Sequence, residues 1–357
     1  MGKLLQFKLE KRLSYNKNLD YIVPVVSMLF ALIAGSFVFW INGANPFEAY
    51  KEMFVGAFGD GYSLSETLVQ TTPLLFTGLA VSLTLRTLLW NIGAEGQFFM
   101  GAMGATWAAQ AFSNQPPWIL IPLLMLSAVV AGALWGLPPA ILKTRLQVNE
   151  ILTTLLLNYV AIFYVNYLLY GPWKDPRYPG FPQTPRYPDA ALLHQYFNTR
   201  LSMGIIIGVI LAIVLYVLYK KTGWGYKIQV IGQSRKTATY AGIRVNRNIV
   251  RVLMISGAIA GLGGMLQISG LQHKLRLGGI SNNYGYTGII IAFLANGNPL
   301  AVIFVALFMG ALLVGGDSLQ MTMGFGKGVV HMFEGMVLFF VLAGEAFKRY
   351  KIQWIKK

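Results

Sequence analysis

Ten apolar runs divide this chain, at residues 21–41, 68–85, 98–112, 118–141, 151–169, 201–218, 252–270, 285–295, 300–315 and 329–346. A helix crossing the roughly 30 Å hydrocarbon core of a bilayer needs about 20 apolar residues, so these runs predict membrane spans. The runs at 98–112 and 285–295 are short. They predict tilted, re-entrant or shielded segments, because non-helical backbone at membrane depth must be buried in protein. Only 12% of the 357 residues are charged and 55% are hydrophobic, whereas a soluble chain carries about a quarter charged residues. The expected fold class is therefore an all-α polytopic membrane protein of about ten transmembrane helices, a single domain over 1–357. The first run follows a basic leader, is long and lacks a small-residue cleavage site, which excludes a signal peptide.

The net charge of +16 reads as topology rather than as nucleic-acid binding. With the N-terminus placed in the cytoplasm, most of the 29 lysines and arginines fall on that side. They lie in the leader 1–20 (Lys3, Lys8, Lys11, Arg12, Lys17), at Arg86, Lys143 and Arg145, in the loop 220–251, and in the tail 347–357 (Lys348, Arg349, Lys351, Lys356, Lys357). That is the positive-inside pattern, and ten spans put both termini in the cytoplasm. The outside loop 171–200 holds six prolines and six aromatics; it reads as a stiff cap or as a long connection, with the plain connection favoured. The inside loop 220–251 holds eight basic residues and no acidic one. Within it Ser234 is an N-cap and Gly242 a helix stop, which predicts a short helix at about 235–241 along the membrane surface.

Enzyme chemistry is absent from the motifs. There is no cysteine, hence no disulfide, thiol nucleophile or thiolate metal site, and His194, His273 and His331 are scattered. The chain lacks a phosphate-cradling Gly-x-x-x-x-Gly-Lys-Ser/Thr loop, a His-Glu-x-x-His pair and a Gly-x-Ser-x-Gly elbow. What remains is polar groups at or near membrane depth, where a charge is costly and usually functional. Asn91, Glu95 and Gln97 open the third span, with Glu95 expected at its cytoplasmic start. Asn149 and Glu150 open the fifth, followed by Thr154, Asn158 and Tyr159. Glu334 lies inside the last. Asn91 and Asn149 read equally as helix caps, Asn158 equally as a bond to a neighbouring helix, and the glycine pairs 263–264 and 315–316 as close-packing contacts.

The run NIGAEGQFFMGA at 91–102, after TPLLFTGLAVSLTLRTLLW at 72–90, resembles permease subunits of ATP-binding-cassette importers, in the group serving ribose, branched-chain amino acids and nucleosides. The segments NEILTTLLLNYVAIFYVNYLLYGPWKDP at 149–176 and FVGAFGDGYSLSETLVQTTPLLFTGLA at 54–80 look like the nucleoside-importer permeases. The resemblance covers most of residues 45–345 and implies a type II ABC importer permease fold. It also implies a coupling helix that inserts into an ATPase groove, matched here by Ser234, Arg235, Lys236, Tyr240, Ala241, Gly242 and Ile243. Thr237 and Ala238 stand where the family often has two alanines. A translocation path is expected near Asn91, Glu95, Gln97, Asn149, Glu150, Asn158, Tyr159 and Glu334.

The implied partners are a cytoplasmic ATP-binding-cassette ATPase, a second permease subunit (expected to be a different chain), an extracytoplasmic substrate-binding lipoprotein, membrane lipid and a nucleoside. No nucleic acid and no cofactor of its own are expected; ATP and Mg would be used by the ATPase. The implied location is the bacterial cell membrane, multi-pass. The alternatives are a permease for ribose or another simple sugar in the same importer family, and a secondary transporter, which would need ion-coupling carboxylates in several central spans.

Overall fold

The computed structural model describes residues 6–11 and 17–355, with the side chains at 6–11, 17–21, 24, 327, 330, 334, 338, 341, 342 and 345–355 outside the described set. Thirteen α-helices follow in chain order among these residues. They are α1 (Lys17–Ile41), α2 (Pro46–Phe58), α3 (Gly61–Leu85), α4 (Ala94–Ala111), α5 (Pro117–Arg145), α6 (Glu150–Tyr170) and α7 (Gly204–Lys221). Then come α8 (Gly223–Gln233), α9 (Arg235–Tyr240), α10 (Val245–Gln267, prolonged by a π turn Ile268–Gln272), α11 (Tyr284–Leu294), α12 (Pro299–Met323) and α13 (Lys327–Arg349). A two-stranded antiparallel ribbon pairs β1 (Gln6–Lys11) with β2 (Tyr350–Ile355).

Every apolar run lies in a helix, but fewer helices qualify as spans than the ten expected. Six of the described helices are long and apolar enough to cross a membrane: α3, α5, α6, α7, α10 with its π turn, and α12; α1 with α2, bent by 113°, makes a seventh. Two of the remaining runs fall short for physical reasons. Helix α11 has 11 residues, about 16 Å at 1.5 Å per residue. Helix α4 opens on the polar stretch Ala94-Glu-Gly-Gln97.

The chain divides into two compact units: one runs from Ala57 to Val314, and the other joins the segments through Gly56 and from Gly315. In the second, Phe39 packs against Tyr50, Phe325 and Phe333 at ring distances of 5.2, 5.7 and 6.5 Å. Tyr50 also donates to the Leu32 carbonyl at 2.6 Å. Gly315 lies against the Met53 backbone of α2.

The larger unit is assembled on α3 and α10. Of the apolar window of α3, 83% is buried inside the protein, against 28% for α5 and for α6 and 22% for α7. An apolar helix leaving most of its surface outside the protein presents that surface to lipid. Helix α10 meets α4 and α5 through glycines. A Cβ built at Gly101 of α4 would collide with the Gly261 backbone, one at Gly132 of α5 with Gly257, and one at Gly264 with Phe98. Lipid gives helices no hydrophobic reason to associate with each other, so van der Waals contact at small residues does the work.

Replacing Gly132 with valine should therefore lower stability by about 1–3 kcal/mol or more through overpacking. Gly61→Ala, where an added methyl meets nothing within 4 Å, should stay near neutral. Thermal unfolding of the purified variants in detergent checks both; equal melting would show that the seam yields.

Candidate functional site: a polar junction where two helices begin

After α3 the chain turns at Leu88, whose backbone is left-handed (φ 52°), and runs back alongside the helix it has just left. Ala94 packs with Val81 of α3 and Ala292 of α11. Glu95 lies in the first turn of α4. Tyr284, at the start of α11, accepts a hydrogen bond from Thr77 at 2.9 Å, and Thr77 is eight residues before the end of α3, about 12 Å back along its axis. Helices α4 (18 residues) and α11 (11 residues) both begin near this level, and α11 is the short one.

Their N-termini meet. A Cβ at Gly285 would stand 2.5 Å from the Glu95 Cα, so only glycine admits the contact. The Gly285 N–H donates to Glu95 Oε2 at 2.6 Å, and Glu95 is 3% exposed. A carboxylate placed at a helix N-terminus accepts from N–H groups that lack an intrahelical partner. Here Glu95 serves α11 from the first turn of α4.

Asn158 closes the junction from α6. Its Oδ1 accepts from the Gly96 N–H at 2.8 Å, and its Nδ2 donates to the Ile92 carbonyl at 2.9 Å and to the Tyr286 hydroxyl at 3.3 Å. Asn158 is fully buried, and its amide braces the returning strand on both sides. Behind it, Asn91 accepts from the Gly93 N–H at 3.0 Å and donates to Gln97 and to Ser256, each at 2.9 Å. Ser256 in turn donates to the Ala80 carbonyl at 2.7 Å. Asn91 and Gln97 are thus joined in one buried network with α10. Tyr159 is half exposed beside it, and Tyr286 is partly covered. Tyr286 and Ser256 escaped the sequence reading. Tyr286 stands in the apolar run of α11, and only the short length of that run hinted at a site there.

The other named residues lie elsewhere. Asn149 caps α6, accepting from the Ile151 N–H at 2.9 Å. Glu150 pairs with Lys143 of α5 at 2.6 Å. Glu334 lies in α13, its side chain outside the described residues.

A second feature is the loop between α7 and α10. Ser234 both ends α8, donating its N–H to the Val230 carbonyl, and caps α9, accepting from the Thr237 N–H at 3.2 Å. Gly242 takes φ +71° with open space around it and stops the helix. Ala238 faces inward, while Arg235, Lys236, Ala241 and Gly242 are exposed, Ile243 is partly so, and Tyr240 is 92% exposed. Beside α9 a cleft of about 440 Å³ is lined by Trp224, Lys227, Gly242, Arg244, Arg247 and Arg251.

At the opposite end, the proline-rich loop is pinned rather than loose. Thr184 donates to the Leu275 carbonyl at 2.8 Å, Tyr187 to that of His273 at 3.0 Å, and Leu277 to that of Pro182 at 3.1 Å. The Tyr187 hydroxyl bonds Thr106 of α4 at 2.6 Å. Arg177 grips Asp175 through two nitrogens at 3.0 Å and holds its carboxyl below the usual carboxylate range. Burial, with Arg186 nearby, pushes His273 below the ordinary histidine value.

Helices that begin on a polar junction inside an apolar bundle, with a capped helix on a basic loop, are the arrangement of a multi-pass membrane protein. Residues 63–342 match the family model described as "Branched-chain amino acid transport system / permease component", and the chain belongs to that family. It is 35% identical to the glucose ABC transporter permease protein of Haloferax volcanii, over 98% of this chain and 94% of the relative. It is 31% identical to the guanosine ABC transporter permease protein of Bacillus subtilis, over 95% and 96%. A nucleoside ABC transporter permease protein of Lactococcus lactis is 28% identical over 91% and 92%.

Asn158→Leu should destabilise the protein by about 1–3 kcal/mol, because the Gly96 N–H and the Ile92 carbonyl would be left buried and unpaired. A drop in melting temperature of the purified variant reads this. An unchanged melt with altered uptake would assign Asn158 to substrate instead.

Proposed function

We propose that this chain is the membrane-spanning permease subunit of an ATP-driven importer that moves nucleosides across the cell membrane. The observation that carries the reading is the junction of α4, α6 and α11. It offers hydroxyls and aromatic faces (Tyr159, Tyr286) beside the buried Asn158 brace, and among the described residues no basic side chain bonds into it. An uncharged nucleoside asks for hydrogen-bonding partners for its hydroxyls and flat apolar walls for its base. The guanosine and nucleoside permeases among the relatives support the same substrate class. The glucose permease supports a second reading, import of a simple sugar, which needs the hydroxyl partners but not the aromatic faces.

This chain would bind no cofactor. ATP and Mg would be consumed by a cytoplasmic ATP-binding-cassette ATPase, into which α9 inserts as the coupling helix; the residues that dock are Arg235, Lys236, Tyr240, Ala241, Gly242 and Ile243, held by the Ser234 cap. The exposed basic residues beside α9 suit an acidic partner or lipid head groups. A second permease subunit would complete the path, and an extracytoplasmic binding lipoprotein would deliver substrate to the side of the 171–200 loop. Ten spans with both termini cytoplasmic remain the topology of this reading. The antiparallel pairing of β1 with β2 supports ends on one side.

Competition against labelled guanosine uptake by adenosine, uridine, ribose and glucose tests the substrate. Nucleosides competing and sugars failing is the expected result; glucose or ribose competing alone would install the sugar reading. Gly242→Glu should abolish uptake with the ATPase still co-purifying, while Gly242→Asn, which tolerates the left-handed backbone, should keep most of it. Uptake lost equally in both would trace the effect to backbone strain. Single cysteines test the topology in this cysteine-free chain: one at Gln183 should react from outside the cell and one at Thr239 only after permeabilisation. Reaction from one side alone would refute the arrangement.

A further inference from the structure

At the C-terminal end of α3 three elements converge on one residue, two on its side chain and one on its backbone. Arg86 Nε donates to the Gly297 carbonyl at 3.0 Å. Its guanidinium carbon stands 5.2 Å from the centre of the Tyr219 ring on α7. Its own carbonyl occupies the space that a Cβ on Gly232 of α8 would need. A cavity of about 250 Å³ beside it is lined by Tyr216, Lys220, Ile228, Gln229 and Asn298, which leaves room for α8 to shift against this group.

We infer that Arg86 is the positioning residue through which a displacement of α9 reaches the polar junction, an inference that rests on reading α9 as the coupling helix. Helices α8 and α9 share Ser234, so α9 cannot be pushed without moving α8. Gly232 of α8 lies against the Arg86 backbone with no side chain between them, so the push arrives undamped. The guanidinium then holds Gly297, which with Asn296 forms the left-handed turn (φ 62° and 49°) between α11 and α12. Helix α11 is a short rod. Its far end carries the Gly285 N–H bonded to Glu95 and the Tyr286 hydroxyl bonded to Asn158. One end of α11 is gripped by Arg86 and the other forms the junction. Arginine suits this place because its planar fork stacks on a ring and donates in a fixed direction, which an ammonium does not.

The test uses the complete importer, with ATPase and binding protein, in proteoliposomes. Arg86→Gln should keep ATP hydrolysis within about twofold while uptake per ATP falls about tenfold, the scale of a typical coupling between sites; Arg86→Lys should fall between. A cysteine at Leu156, exposed on α6, should change its thiol reactivity on ATP addition in the otherwise native chain but not alongside Arg86→Gln. A staple without a relay role would reduce the amount of assembled protein and leave both uptake per ATP and the ATP-dependent reactivity intact, which overturns the inference. Should Arg86→Gln fail to assemble, Tyr219→Leu removes the stacking face and reads the same ratio, with an unchanged ratio equally fatal. Gly242→Glu in parallel separates the two ideas. Normal uptake there removes α9 from coupling altogether, whereas lost uptake there beside an unaltered ratio in Arg86→Gln removes the relay alone.

Discussion

In hydrocarbon a backbone N–H without a partner is expensive, and this chain starts two helices inside its own bundle. Each start leaves buried N–H groups without an intrahelical partner. The answer is local and polar: Glu95 takes one from α11, Asn158 takes one from α4, and Asn91 holds the returning strand between them. Remove these helix starts and none of these side chains would have a reason to be buried. Keep them, and an apolar bundle acquires a polar centre with tyrosines at its edge. The permease reading grows from that constraint, because a path for a hydroxylated, uncharged molecule needs such groups where lipid would supply none.

The same side chains therefore carry two duties at once. Asn158 uses its carbonyl oxygen on Gly96 and its amide on Ile92, so little of it is left for anything that passes. Tyr286 and Tyr159 are less committed, and they face the accessible side. Bracing and lining are thus divided between neighbours one residue apart on α6: the buried amide fixes the geometry, and the adjacent ring is free to meet a substrate.

Much of this was readable from the amino-acid order, and the reasons differ by element. Apolar runs announce helices because lipid tolerates nothing else over such lengths. Ser234 and Gly242 announced α9 because a hydroxyl cap and a left-handed stop are local chemistry. Two helices were invisible. Helix α2 carries Glu48, Lys51 and Glu52, and α8 is only 11 residues with three glycines or more polar positions than an apolar window admits. Glu95 was found as a residue, but nothing in residues 86–93 says that its carboxyl serves the N-terminus of α11. The bonds from Asn158 and Ser256 span 62 and 176 residues, and single-chain patterns do not encode such pairings. The ambiguity of Asn158 was real: asparagine on a helix face suits a brace and a lining equally, and only its partners distinguish them.

The glycine seams have a mechanical consequence. Where side chains interlock, helices can creep past one another by trading rotamers. Backbone seated on backbone has no rotamers to trade. Helices α4, α5 and α10, joined at Gly101, Gly132, Gly257, Gly261 and Gly264, form a keel that moves whole or not at all. Any switching between open states then falls to what is hung on that keel: the short rod α11 and the loosely covered α6 and α7.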